Sequence, residues 1–241
     1  MTRLPAIETK RLYRHIADVV AQHIDSGAFA PGATLPAERE LAAQLRVSRT
    51  SIREALIALE VEGRVSVRVG VGVVVLPPGT RPAPARPSRA RAGVAADWSQ
   101  VGPLQLLEAR RVVECESAAL AARHASAADL AEIEKLCGEM ARTINAGTDH
   151  YPLDERFHVR IAQSCGNVAI ALLVAELWAH RASTVSRKFE EHFVDAPLYR
   201  ATLTDHQAIL AALLARDARG VRAAMKRHLD RVHEAYSRDL A

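Results

Sequence analysis

Apolar and polar positions alternate along the chain with three different periods. From Lys10 to Ser26, Leu12, Ile16, Val19, Val20 and Ile24 recur at three- and four-residue intervals, the spacing of one helical face, and Gly27 with Pro31-Gly32 ends that helix. Pro36 precedes a second helix over AERELAAQLR. Val47-Ser48 then leads into a third, SRTSIREALIALE, with Ser48 placed to cap it, Ile52, Leu56 and Leu59 at core spacing, and Gly63 closing it. VSVRVGVGVVV follows, rich in β-branched residues around Gly70-Val71-Gly72, which predicts a hairpin with a glycine-containing turn. Three helices followed by a hairpin is the order of a winged helix-turn-helix, an α+β domain over residues 8–76.

The pattern then lapses. PPGTRPAPARPSRARAGVAA carries five prolines and almost no large apolar side chain, so residues 77–100 read as a linker. Beyond it every long segment has helical character: 103–124, 127–146, 150–165, 168–192, 203–215 and 218–238, with breaks at Gly147, Gly166-Asn167, Pro197 and Arg219-Gly220. Residues 101–241 are therefore expected to form an all-α bundle of antiparallel neighbours joined by short loops.

Length and composition agree with two modest domains, each able to bury its own core. No apolar run approaches the roughly 20 residues that cross a bilayer, and no signal peptide precedes the first helix, so a soluble, cytoplasmic protein without a membrane partner is expected. Cys115, Cys137 and Cys165 include no C-x-x-C pair, which points to buried helix residues rather than a disulfide framework or zinc ribbon. Charge is unevenly placed. Lys+Arg against Asp+Glu is 10 to 8 in residues 1–76, 4 to 1 in 77–100 and 18 to 19 in 101–241, so the local positive field belongs to the first domain and its linker. Eight of the ten histidines lie after residue 100, an asymmetry with a cause of its own.

On the third helix Arg49 and Arg53 are i,i+4 neighbours, placed by this reading on the face opposite Ile52, Leu56 and Leu59. Arginine suits groove reading because its planar fork matches guanine N7 and O6, while Ser48, Thr50 and Ser51 can bond phosphates or bases. Arg39 adds a contact from the preceding helix. The alternative is a solvated face balanced by Glu38, Glu40, Glu54 and Glu60.

The segment LPAERELAAQLRVSRTSIREALIALEVEGRVSVRVGVG resembles the N-terminal domain of GntR-type bacterial transcription regulators from Leu35 to Gly72. That resemblance implies base or phosphate contacts by Arg39, Arg49 and Arg53, and a wing around Gly70 entering the minor groove of double-stranded operator DNA.

In LDERFHVRIA, Asp154 and His158 are four residues apart and share one helix face. His206 and His228 lie on later helices that a bundle can bring to the same interior site. Three imidazoles and a carboxylate suit a divalent ion such as Zn²⁺ or Ni²⁺, although any one of these histidines alone reads as a hydrogen-bonded structural residue. The bundle resembles the FCD-type ligand-binding domain of the FadR subgroup, in which D-x-x-x-H, a later His and a final H-L form a metal site. Asp154, His158, His206 and His228-Leu229 match those positions.

In that subgroup the metal receives a small carboxylate effector. By the resemblance Arg110 in LLEARRVVE pairs with the carboxylate, with Arg111 as the alternative, and Asn167 either bonds the effector or a metal-bound water or caps a helix. RLYRHIA, VGPLQLLEARRVVE, ELWAHR, RKFEEH and DHQAILAALLARDARGVRAAMKRHL are similar to hexuronate-utilisation repressors within the subgroup. This implies a dimeric repressor released from a pseudo-palindromic operator by a sugar acid, with Trp178, Arg181 and His192 as candidates for the hydroxyl-bearing end. Trp178 as core and Arg181 as surface charge are the plain alternatives. Two other classes stay open: a metal-dependent hydrolase, for which no general base stands beside the Asp/His set, and an architectural DNA binder that senses nothing.

Overall fold

A computed structural model describes residues 12–68, 72–77, 101–181 and 184–237. The wing tip with Gly70 and the linker from 78 to 100 lie outside the described residues. The chain divides into two compact units between Gly102 and Pro103.

The first unit is a winged helix-turn-helix. Its helices are α1 (Leu12–Asp25), α2 (Glu38–Leu45) and α3 (Arg49–Val61), and its strands are β1 (Val65–Arg68) and β2 (Gly72–Val75). Ser48 caps α3, its side chain accepting from the Ser51 amide at 3.1 Å, which satisfies one of the amides a helix start leaves over. Gly63, at φ 67°, ends α3 in the left-handed conformation glycine adopts without strain. Arg64 N then donates to Leu59 O at 3.0 Å and Gly63 N to Glu60 O at 2.9 Å. The strands pair antiparallel from Val65 opposite Val75 to Arg68 opposite Gly72. Val65, Val67, Val73 and Val75 are buried, as are Ile16, Val20, Leu41, Ile52, Leu56 and Leu59 on the three helices. A bridge from Thr34 to Val74 extends the sheet beyond the hairpin that the sequence pattern predicts.

The second unit is all-α: α4 (Pro103–His124), α5 (Ala127–Asn145), α6 (Tyr151–Gln163), α7 (Val168–Arg181), α8 (Thr184–Phe193), α9 (Ala196–Leu214) and α10 (Ala218–Tyr236). Helix α4 packs on α10, α7 and α6, and α10 also packs on α9. Expectations change at four points. The single helix predicted over 168–192 is two helices, α7 and α8. Pro197 is no break: it sits in the first turn of α9, where a missing N–H costs nothing, behind Asp195, whose carboxylate accepts from Leu198 N at 2.8 Å. Similarly Gly220 lies in the first turn of α10, its amide and that of Arg219 donating to Asp217. Cys115, Cys137 and Cys165 are buried, Cys165 in the turn after α6 rather than in a helix.

Among the described residues no single helix is long and apolar enough to cross a membrane.

Candidate functional site

Four side chains from three helices meet inside the bundle. Asp154 and His158 come from α6, His206 from α9 and His228 from α10; all four are buried, and each offers an atom within 4.8 Å of the others'. Phe157, Ile161 and Ala162 on α6 are fully buried and fix that helix with its Asp154/His158 face inward. His158 Nε2 lies 3.2 Å from His206 Nε2 and 3.6 Å from Asp154 Oδ1, and His206 Nε2 is 3.1 Å from Asp154 Oδ1. Ligand atoms at about 2.0–2.2 Å from a common ion are about 3–3.5 Å apart in tetrahedral or octahedral arrangements, close to the spacing of Asp154, His158 and His206, with His228 within 4.8 Å of them.

The electrostatics fit as well. Burial pushes the imidazoles of His158 and His228 below their usual range, His228 well below it with the neighbouring His206 and His158 adding to the effect. Burial alone would raise the Asp154 carboxyl, but the His206 ring and the Arg181 guanidinium outweigh it and hold the group well below the carboxylate range. Burial thus favours the neutral rings of His158 and His228, and the neighbouring groups the charged carboxylate of Asp154, the forms in which these side chains ligate. Asp154 Oδ1 is buried at the cluster with no hydrogen-bond partner, as are the Nδ1 atoms of His206 and His228; the Oδ1 lone pair is one that a bound ion would take up.

A second ring of residues surrounds these four. Glu114 on α4 accepts from His158 Nδ1 at 2.5 Å, from Arg110 Nε at 2.6 Å and from the Trp178 indole N–H at 3.0 Å. Burial would raise its carboxyl, yet Arg110 and His158 pull it down to about 2. Arg181 donates to Asp154 Oδ2 at 2.7 Å, pairs with Glu190 on α8 at 2.5 Å, and stacks over Trp178 and Tyr151. Glu114 and Glu190 were not singled out in the sequence. An i,i+4 Arg110/Glu114 pair is the one signal there, and it is a common helical pattern.

Beside the cluster lies a small cavity of about 30 Å³, lined by Arg110, Asp154, Arg181, Tyr199, His206 and His228 among others. Arg110 is buried with its Nη2 unpartnered, while Arg111 faces outward and pairs with Asp230 at 2.8 Å. Of the two arginines, the helix therefore turns Arg110 into the site. Two expectations are corrected, for Trp178 and His192, and of the two roles open to Asn167 the structure shows the helix cap. Trp178 does not line the cavity: it is fully buried and its N–H is taken by Glu114. Asn167 is exposed at the start of α7, where its Oδ1 accepts from the Ala169 and Ile170 amides at 3.0 and 3.3 Å, so it is a helix cap. His192 is half-buried on α8 and is not among the cavity-lining residues.

In the winged unit Arg39, Ser48 and Arg49 are exposed, and Thr50 and Ser51 are half-buried. Arg53 is not on a free face. It is 1% exposed, and its guanidinium forks onto Glu38 of α2 at 3.1 and 2.8 Å. The reason is that α1, α2 and β1 all pack on α3, leaving its first turn as the part open to solvent. Two exposed arginines went unremarked in the sequence: Arg46, in the left-handed turn between α2 and α3, and Arg68, at the end of β1 beside the wing. Gly70 lies outside the described residues.

Residues 12–75 match the family model described as bacterial regulatory proteins, gntR family, and residues 105–231 match that of the FCD domain. The chain is similar to the Exu regulon transcriptional regulator of Escherichia coli strain K12, 34% identical over 224 residues that cover 92% of this chain and 83% of that one. It is likewise similar to the Uxu operon transcriptional regulator of the same strain, 34% identical over 232 residues, 95% of this chain and 88% of that one. A third relative is the putative L-lactate dehydrogenase operon regulatory protein of that strain, 33% identical over 242 residues with 95% and 88% covered.

Proposed function

This chain belongs to the gntR family of bacterial regulatory proteins and carries an FCD domain, and on that premise we propose that it is a DNA-binding repressor of a hexuronate-catabolic operon, released from its operator when a sugar acid enters the bundle. It is a transcriptional regulator, not an enzyme, as its family and relatives are. The observation that carries the sensing half is the convergence of Asp154, His158, His206 and His228 beside a cavity that Arg110, a buried residue with an unpartnered guanidinium nitrogen, also lines.

Asp154, His158, His206 and His228 would hold a divalent ion, Zn²⁺ or Ni²⁺ by the nitrogen-rich donor set. When bound, that ion supplies an open position for a carboxylate oxygen. Arg110 offers the second grip on the carboxylate, and Arg181 and Tyr199 line the side of the cavity where hydroxyls would lie. On the DNA side Arg39, Ser48, Arg49, Thr50 and Ser51 form the reading edge, with Arg49 aimed at bases from the first turn of α3. A homodimer would present two such edges to half-sites about one helical turn apart.

The test is fluorescence anisotropy on DNA upstream of its own operon, titrated with glucuronate, galacturonate and fructuronate before and after chelation. Release by at least one, lost on chelation, is expected; indifference to all three overturns the hexuronate reading. One observation favours a second reading. The cavity as folded holds about 30 Å³, room for one or two waters. A smaller hydroxy acid of the lactate type, or another organic acid such as gluconate or a dicarboxylate, is accordingly included in the titration.

A further inference from the structure

We infer that Glu114 on α4 is the positioning residue of the metal site, its buried carboxylate fixing the His158 ring so that Nε2 faces Asp154 and His206. The inference rests on the metal reading above and deepens it.

The geometry carries it. A carboxylate can only accept, so His158 must hold its proton on Nδ1, against Glu114 Oε2 at 2.5 Å. That leaves the Nε2 lone pair directed at the cluster, 3.2 Å from His206 Nε2 and 3.6 Å from Asp154 Oδ1. His158 is singular in this respect: the Nδ1 atoms of His206 and His228 have no partner, so of the three rings it is the one whose Nδ1 a carboxylate braces. The brace is itself braced. Glu114 Oε1 accepts from Arg110 Nε at 2.6 Å and from Trp178 Nε1 at 3.0 Å, so both carboxylate oxygens are engaged and the group cannot turn away. Trp178 also packs its ring 4.9 Å from that of His158, holding the imidazole from its face while Glu114 holds it by its edge. A merely structural Arg110–Glu114 ion pair would engage neither His158 nor the indole N–H. Bracing of this kind fixes the tautomer and orientation of a ligating imidazole and raises its basicity.

The experiment measures Zn²⁺ affinity of the full chain by competition with a chromophoric chelator, with circular dichroism as the check on folding. Glu114→Gln should bind Zn²⁺ about 10- to 100-fold more weakly than the unaltered chain, and Trp178→Phe, which removes one of the bonds that hold Glu114, should weaken it by less. Nitrogen-15 spectra of the metal-free protein should show His158 moving from the Nδ1–H tautomer toward Nε2–H in Glu114→Gln, a change that loss of packing alone does not produce. Because Glu114→Gln strands the buried Arg110 and can fail to fold, Arg110→Met is compared with the Arg110→Met/Glu114→Gln pair, where the cation leaves with its anion. Equal Zn²⁺ affinity within that comparison, or in the folded single variant, overturns the role of Glu114 and leaves the metal site standing. An unaltered chain that takes up no more Zn²⁺ than His158→Ala overturns both.

Discussion

The guanidinium of Arg53 on α3 meets the carboxylate of Glu38 on α2 at 2.8 Å, with both side chains buried. Spacing makes Arg49 and Arg53 equivalent, yet the fold gives one to solvent and the other to the core. Arg53→Ala leaves Glu38 as a buried, unpaired charge, and the expected cost to the winged domain is about 3–5 kcal/mol. Thermal and urea unfolding check it; a domain as stable as the unaltered one removes the structural role.

Arg49→Ala is expected to act on DNA binding instead, weakening the specific complex by about 1–3 kcal/mol if the side chain forks onto a guanine. Arg39→Ala should weaken binding to all sequences alike and flatten its salt dependence, as loss of a phosphate contact does. Anisotropy with matched and scrambled DNA separates the two. Undiminished discrimination in Arg49→Ala takes it out of the reading set.

Ion removal should lower the stability of the bundle. An ion held only by the folded state at about 100 times its dissociation constant adds about 2.7 kcal/mol. Calorimetry with and without chelator is expected to show an upward-shifted transition for the loaded protein, and His228→Ala should abolish the difference. A chelator-insensitive transition in the unaltered chain contradicts the site.

The metal-free bundle should also weaken as pH falls. Burial depresses the His158 and His228 imidazoles in the folded state, while in the unfolded chain they titrate near about 6.5. Below about pH 6.5 the unfolded chain therefore binds more protons than the folded one, and stability drops with falling pH until the folded rings protonate. Urea titrations at pH 7.5, 6.5 and 5.5 read this, and His228→Gln should blunt the slope between them. A slope that the substitution leaves untouched assigns the pH dependence to other groups.

Asn167→Ala should cost the bundle about 1 kcal/mol through loss of the α7 cap and leave both Zn²⁺ affinity and effector response as they were. A lost response with stability intact would restore Asn167 to the ligand site.

Local chemistry made much of this protein legible in its sequence. Ser48 before α3, the β-branched run before and after the wing, the proline-rich stretch and the four-residue step from Asp154 to His158 each act through neighbours along the chain, so periodicity and turn chemistry reveal them. The same locality misread Pro197, which breaks a helix interior but suits a first turn once Asp195 stands ahead of it. What only the tertiary structure decided are relations between helices far apart in sequence. His206 and His228 join Asp154 and His158 because α4 packs on both α6 and α10, and α5 on both α6 and α9, which brings three inward faces to one point. Glu114 becomes their brace because α4 crosses the same point, and Arg53 is lost to DNA because α2 covers it. Spacing assigns a residue to a face of its own helix, but packing determines what that face meets, and the burial energy that fixes packing is summed over the whole core rather than written at any one position.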